Sequence, residues 1–336
     1  MKAIIPVAGI GSKLRPLTHT QPKALVPVAG KPILAHIVDT LVSGGINNFC
    51  FIVGYLGDKI EDFIQDYYHQ ANLRVEFVIQ EPREGIAHAL WCARESIRNE
   101  EQVLIMLGDT ILTLDIKKFL QVPTSVLGTK KVEHPGKFGV VEIDSRDNVK
   151  RLIEKPRIPK SNLALVGIYK LDNPKLFVES IEKIIDQGIK TLGEFQLTDA
   201  LMEMLKYGEP MGIFPVDNWY DCGRKESLLE ANAILLDRDE FMNTNGNNYT
   251  KSVIIPPVSI AESCTIEHSI IGPNVAIGEE TQVRNSIVTN SIIGSFSRLD
   301  VAVLNRSVIG SDTILKGPSQ SLNIGDNTEI NYSSQE

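Results

Sequence analysis

Between Ala8 and Pro32 the chain reads AGIGSKLRPLTHTQPKALVPVAGKP, directly after an apolar run, and packs three glycines, four Lys or Arg residues and four prolines into that stretch. Those residue types suit a phosphate chain, which needs backbone N–H groups brought close and cations held beside them. Glycine permits the close approach and the unusual backbone angles. Gly9 and Gly11 supply this, Ser12 adds a hydroxyl donor, and Lys13, Arg15, Lys23 and Lys31 supply charge. Pro16, Pro22, Pro27 and Pro32 stiffen a long loop that has to hold cations in place. Two common phosphate motifs do not fit: a dinucleotide fingerprint would need glycine where Leu14 stands, and a P-loop would need G-K-[ST] four spacers after Gly9. A basic surface loop has the same composition, so the stretch by itself assigns no chemistry.

The loop has to hang from a scaffold, and the first 235 or so residues alternate in the right way. Lys2–Val7, Phe49–Val53, Leu73–Ile79 and Val103–Leu107 read as strands; 32–43, 58–68 and 86–98 read as helices. Alternation of this kind predicts a largely parallel α/β sheet, in which ligands sit beyond the carboxyl ends of the strands. The glycine-rich loop starts at one such end. Ile60, Phe63, Ile64 and Tyr67 form a helical stripe that reads as core.

MNTNGNNYT, from Met242 to Thr250, is polar and reads as a linker within 241–251. Beyond it the pattern changes. Ile277-Gly278, Ile293-Gly294 and Ile309-Gly310 recur every 16 residues, Val283, Leu299 and Leu315 keep the same interval, and so do Val288 and Leu304; Ile324-Gly325 arrives one residue early. Three apolar lanes in phase predict a solenoid of short strands on three faces over 252–336. That segment carries four Lys or Arg residues against nine Asp or Glu, so it holds most of the net charge of −8. The acidic balance argues against nucleic acid or an anionic membrane as partner. No apolar run approaches the ~20 residues of a membrane span, and Met1-Lys2 leads into AIIPVAG, too short and wrongly flanked for a signal peptide. Cys50, Cys92, Cys222 and Cys264 lie far apart, as expected for reduced thiols of a cytoplasmic protein and not for a zinc site.

The whole opening string resembles the signature of the sugar-1-phosphate nucleotidylyltransferases, G-G-x-G-T-R-L-x-P-L-T followed by P-K-x-L-x-P-V and K-P. Gly9, Gly11, Leu14, Pro16, Leu17, Thr18, Pro22, Lys23, Leu25, Pro27, Val28, Lys31 and Pro32 fall in register. The likeness continues through LGDT at Asp109, WYDCG at Asp221, QEPREGIAHAL, FGVVE, EKP and LVGIY. SNLALVGIYKLDNP, GEFQLTDAL and WYDCGRKESLLEANAILL look most like glucose-1-phosphate thymidylyltransferases of the long type, which carry a C-terminal left-handed β-helix.

The resemblance implies a Rossmann-like, mostly parallel α/β sheet with flanking helices (1–240) followed by a left-handed parallel β-helix (252–336). It implies transfer of a nucleoside monophosphate from dTTP or UTP to glucose-1-phosphate, with release of pyrophosphate. Mg²⁺ would sit on Asp109 and Asp221; Ala8, Gly9, Gly11, Ser12, Lys13, Gln80 and Gly85 would hold the nucleotide; Gly139, Glu154, Lys155 and Val166 would hold the sugar phosphate; and Lys13, Lys23, Asp109 and Asp221 would carry catalysis. A homo-oligomer joined through the C-terminal part is expected. His88 reads as a residue lining the base site, and His268 lacks any second motif that would make it an acyltransferase base. Two positions depart from the pattern: Ala8 replaces the first glycine, and Lys13 replaces the catalytic arginine. Lysine keeps the charge but loses the planar fork that binds phosphate bidentately. UTP with an amino-sugar phosphate, and a non-catalytic nucleotide-sensing subunit, are the alternatives.

Overall fold

Ala3, Ile4 and Ile5 have no solvent exposure because the strand they form lies inside a nine-stranded sheet, between two parallel neighbours. The computed structural model describes residues 1–238, 240–243 and 249–317. In chain order the first part runs β1 (Lys2–Pro6), the two-residue pair β2 (Pro27–Val28) and β3 (Lys31–Pro32), α1 (Ile33–Ser43), β4 (Asn48–Val53), α2 (Gly57–Tyr67), β5 (Arg74–Ile79), α3 (Ile86–Cys92), α4 (Arg94–Arg98), β6 (Val103–Met106), β7 (Thr110–Thr113), α5 (Ile116–Leu120), β8 (Ser125–Lys131), β9 (Gly139–Ile143), β10 (Val149–Glu154), β11 (Leu163–Leu171), α6 (Pro174–Asp186), α7 (Leu197–Lys206), β12 (Met211–Pro215), β13 (Asn218–Asp221) and α8 (Lys225–Leu236). The main path orders β10-β9-β11-β6-β1-β4-β5, with β8 and β12 joined to β11.

The strands β6, β1, β4 and β5 are parallel, as expected for a sheet covered by crossover helices. Antiparallel β11, β9 and β10 widen it on the far side. All six residues of β4 except Asn48 are buried, the continuous apolar run of a strand covered on both faces. The stretch 86–98 is two helices and not one: Ala93 leaves helical angles (φ −92, ψ 13), and its N–H turns back to the carbonyls of Ala89 and Trp91. No glycine or proline marks the break. Burial of Ala93 and Ile97, both at 1% exposure or less, positions the second segment instead. On α2, Ile60 and Ile64 enter the core, while Phe63 stacks on the half-exposed Tyr67.

The second part is a coil of parallel strands on three sheets. One sheet contains Tyr249–Thr250, Thr265–Glu267, Gln282–Arg284, Arg298–Asp300 and Ile314–Lys316; the others start at Val253–Ile254 and Val258–Ile260. Tyr249–Thr250 already pair with Ile266 and Glu267, so the coil begins inside the segment read as a linker. Residues 244–248 of that segment, and the last repeat at Ile324-Gly325, lie outside the described residues. The sequence lanes are stacked partners: Ile260, Ile277, Ile293 and Ile309 in one file, Ile266, Val283, Leu299 and Leu315 in another. Most corners place a residue in the left-handed region, among them His268, Asn285 and Val301 at φ 49, 49 and 56. Cross-rung side-chain bonds line one corner, from Asn274 Nδ2 to Asn290 Oδ1 (2.9 Å) and from Asn290 Nδ2 to Asn305 Oδ1 (3.1 Å).

Asn232 fastens the coil to the sheet domain. Fully buried on α8, its Oδ1 accepts from the Ala29 N–H (2.9 Å) and its Nδ2 donates to the Asn274 carbonyl (3.1 Å). Nearby, a Cβ on Gly30 would come within 2.4 Å of Ser259 Oγ, so the loop between β2 and β3 touches the coil only because it carries no side chain.

Candidate active site

Parallel strands β1, β4 and β6 end at a common edge, and the loop after β1 folds back over it. Gly9 leaves open space where a side chain would be. Gly11 takes a left-handed conformation (φ 61); its carbonyl accepts from Thr18 Oγ1 at 2.8 Å and from the Leu14 N–H at 2.9 Å. A Cβ there would press to 3.0 Å on Lys23 Cβ and Thr18 Cγ2. Glycine therefore lets the first turn, Ser12–Leu14, lie against the second, Lys23–Leu25. Leu14 is buried beneath as an anchor, leaving Ser12 and Lys13 to face outward.

Lys23 Nζ donates to Asp109 Oδ2 at 2.5 Å. Asp109 follows β6 and precedes β7. Asp221 ends β13, which pairs antiparallel with β7 so that Asp221 stands opposite Thr110; the Cys222 N–H donates to the Asp109 carbonyl at 3.1 Å. Two carboxylates distant in sequence thus come from adjacent strands. Asp221 Oδ1 accepts from the Gly223 N–H at 3.0 Å. A Cβ on Gly223 would lie 2.8 Å from Asp221 Oδ1 and 3.3 Å from Lys23 Nζ, so the absence of a side chain at Gly223 leaves the ammonium and the second acid facing the same space. Burial opposes ionisation of Asp109, and Lys23 outweighs it, holding the carboxyl below the usual range.

On the far wall, Glu154 closes β10 and pairs in register with Gly139 on β9. Its Oε2 accepts from Thr198 Oγ1 at 3.3 Å, and its Oε1 lies 3.3 Å from Lys155 Nζ. Lys155 has positive φ (41) and its N–H donates to the Phe138 carbonyl at 3.0 Å, which turns its side chain away from the strand. Gly139 is tight: a Cβ would come within 3.1 Å of Thr198 Cγ2 and 3.2 Å of Glu154 Oε2. Val166, buried on β11, forms the floor between these walls. On the opposite side Gln80 and Gly85 flank the end of β5.

Two cavities of about 420 and 440 Å³ share Gly9, Lys23 and Asp109, so they are one cleft with two ends. Ala8, Gln80 and Gly85 line the first; Gly11, Ser12, Lys13, Gly139, Glu154, Lys155, Val166 and Asp221 line the second. All the sequence-derived site residues therefore border one cleft. The four cations of the opening loop do not act together, however. Lys31 is turned away by the β2–β3 pair and forms an ion pair with Asp39. Arg15 lines a separate cavity of about 610 Å³ against the coil, which Lys13 borders as well. Glu194, Arg83 and Arg224 also face the cleft; they lie in GEFQLTDAL, QEPREGIAHAL and WYDCGRKESLLEANAILL, segments that carry the resemblance, but an isolated charged residue within such a segment reads as solvated surface and has no role assigned from sequence.

Residues 2–238 match the family model described as Nucleotidyl transferase, and 242–314 match the GlmU-like, C-terminal hexapeptide model; the coil is a left-handed β-helix. The low-salt glycan biosynthesis nucleotidyltransferase Agl11 of Haloferax volcanii is 30% identical, over 98% of this chain and 99% of that protein. The bifunctional protein GlmU of Methanocaldococcus jannaschii is 40% identical, over 71% of this chain and 55% of that protein. A glucose-1-phosphate thymidylyltransferase of Streptomyces griseus is 31% identical, over 95% of this chain and 88% of that protein.

Proposed function

The chain belongs to the sugar-1-phosphate nucleotidylyltransferases, and from that premise we propose that it transfers a nucleoside monophosphate from dTTP or UTP to glucose-1-phosphate, releasing pyrophosphate. The observation that carries this reading is the convergence of Lys23, Asp109 and Asp221 midway between a base-sized end of the cleft and an end walled by Glu154 and Lys155. Likeness along almost the whole chain to a glucose-1-phosphate thymidylyltransferase supports the choice of substrates.

A sugar-1-phosphate oxygen attacks the α-phosphorus, a new P–O bond forms, and the bond to the bridging oxygen breaks with its electron pair leaving on pyrophosphate. The nucleophile is already anionic, so no general base is needed. The barrier lies in bringing two polyanions into line, which makes catalysis a matter of positioning and charge neutralisation. Lys155 holds the acceptor phosphate, and Glu154 accepts from sugar hydroxyls. Lys23 offsets charge at the α-phosphate, and Lys13 with the Gly9–Ser12 backbone takes the departing pyrophosphate. The donors at the centre fit a small hard cation, since two carboxylates from neighbouring strands border the same part of the cleft, and an ammonium paired with one of them already brings positive charge there. Asp109 and Asp221 would hold Mg²⁺, which when bound supplies charge neutralisation on phosphate oxygens and keeps several waters.

A second reading replaces glucose-1-phosphate by N-acetylglucosamine-1-phosphate with UTP. The 40% identity to a bifunctional GlmU protein favours it. Pyrophosphate release measured across nucleoside triphosphates and sugar-1-phosphates separates the two.

A further inference from the structure

Gln80 ends the parallel half of the sheet at the base-sized end of the cleft, and its side-chain amide is held on one side only. Its Nε2 donates to the Gly85 carbonyl at 3.0 Å and lies 3.4 Å from His88 Nδ1. A carbonyl only accepts, so the atom against Gly85 is the nitrogen, and this fixes which way the amide points. Its two hydrogens then have two acceptors. Among the described residues no donor reaches Gln80 Oε1, and the side chain borders the cavity. The first acceptor cannot shift. Gly85 has φ 113, a Cβ there would come within 2.5 Å of the Phe195 carbonyl, and backbone bonds join Ala87 to Phe195 (3.0 Å) and Phe195 to Glu84 (2.8 Å). The second acceptor stands on α3, 5% exposed, against Trp91 at 5.6 Å between ring centroids.

We infer that His88 is a positioning residue for base choice: with the Gly85 carbonyl it occupies both amide hydrogens of Gln80, so that Oε1 faces the cleft as an acceptor and selects a pyrimidine carrying an N3–H. Uracil and thymine offer that donor, whereas cytosine presents a lone pair at N3, directed at another lone pair. This rests on the nucleotidyl-transfer reading above and adds the rule by which the base is chosen. The role requires Nδ1 of His88 to be unprotonated, with the proton on Nε2. Burial favours the neutral ring. The charged or titratable groups facing it are Glu84, which opposes that effect, Lys190, which reinforces it, and Cys92, whose Sγ lies 3.9 Å from Nδ1. Removing the imidazole leaves one amide hydrogen buried without an acceptor, and a Gln that turns to repair this brings its NH₂ toward the base.

The test compares UTP and CTP in the unmodified protein, His88→Leu and His88→Asn, by kcat/KM and by direct nucleotide binding. Asn carries Oδ1 where the ring carries Nδ1. His88→Leu should lower the UTP-over-CTP preference at least about tenfold, with the loss for UTP falling on KM and on binding more than on kcat, and His88→Asn should restore most of the preference. An unchanged preference in His88→Leu overturns the inference. On the unmodified protein, N3-methyl-UTP should bind at least about tenfold more weakly than UTP, and equal binding overturns the inference even where a variant misfolds. Absence of turnover with every triphosphate would sink the catalytic reading alone, because the binding ratios of UTP, CTP and N3-methyl-UTP still decide the role of His88.

Discussion

Lys23 Nζ rests 2.5 Å from Asp109 Oδ2, so the central cation and one of the two central carboxylates neutralise each other before any substrate arrives. Binding of phosphates and a divalent ion has to break this pair and redistribute its charges. Asp109→Ala therefore removes a hard oxygen and frees Lys23 together, and Asp221→Ala removes the second oxygen. Each should lower turnover about 10²–10³-fold with little change in melting temperature and a higher Mg²⁺ requirement. Near-normal rates at low Mg²⁺ in either variant would remove that residue from the metal assignment.

Lys13 borders the phosphate end of the cleft from the short turn after Gly11. Lys13→Arg should hold or raise kcat, because it restores a planar fork. Lys13→Ala should lower kcat about 10²-fold by removing a positioned cation. Equal rates for all three proteins would show that the position does not touch the transferring phosphates.

His36 gives a stability prediction with a fixed sign. Burial pushes its pKa down from 6.5 to about 4, against the raising effect of the Val28 carbonyl, which accepts from Nε2 at 2.9 Å. The folded value lies below the unfolded one, so below pH 6.5 the unfolded chain takes up the proton first. The contribution of the neutral ring is complete above pH 6.5 and is lost progressively as pH falls toward 4, about 3 kcal/mol in all. His36→Gln, which still offers a donor to Val28, should flatten the fall in melting temperature across that window. The same slope in both proteins would contradict the assignment.

On one outer face of the β-helix, Val253, Ile270, Ile287 and Val303 stand in register and are 38–79% exposed. A contiguous aliphatic file on a flat sheet face marks a contact surface. The full-length protein should be a homo-oligomer at micromolar concentration by light scattering, and Ile287→Glu with Val303→Glu should reduce its mass. A monomeric unmodified protein would end the oligomer expectation.

The repeat was legible because stacking puts like residues at one interval: Ile277, Ile293 and Ile309 are partners in the structure as in the sequence. The first interval hid itself, since Ile260 pairs with Ile277 across 17 residues and the extra residue falls at the corner between Ile271 and Val275. The site residues could be read in order, but not their sharing of charge. Composition alone does not separate Lys23, which reaches Asp109, from Lys31, which turns to Asp39; only the family resemblance singles out Lys23. That choice is made by the β2–β3 turn, whose Gly30 lies against the coil. Asn232 had no signal either, because a helical Asn becomes a structural bolt only when two distant backbone groups close on it.

The most direct measurement is Mg²⁺-dependent pyrophosphate release over a matrix of dTTP, UTP, CTP, ATP and GTP against several sugar-1-phosphates. Release should be fastest with dTTP and glucose-1-phosphate, second with UTP, and slight with CTP. A clear preference for UTP with N-acetylglucosamine-1-phosphate would move the protein to the second reading. No release with any pair, alongside measurable nucleotide binding, would contradict nucleotidyl transfer and leave a nucleotide-binding subunit on an enzyme fold.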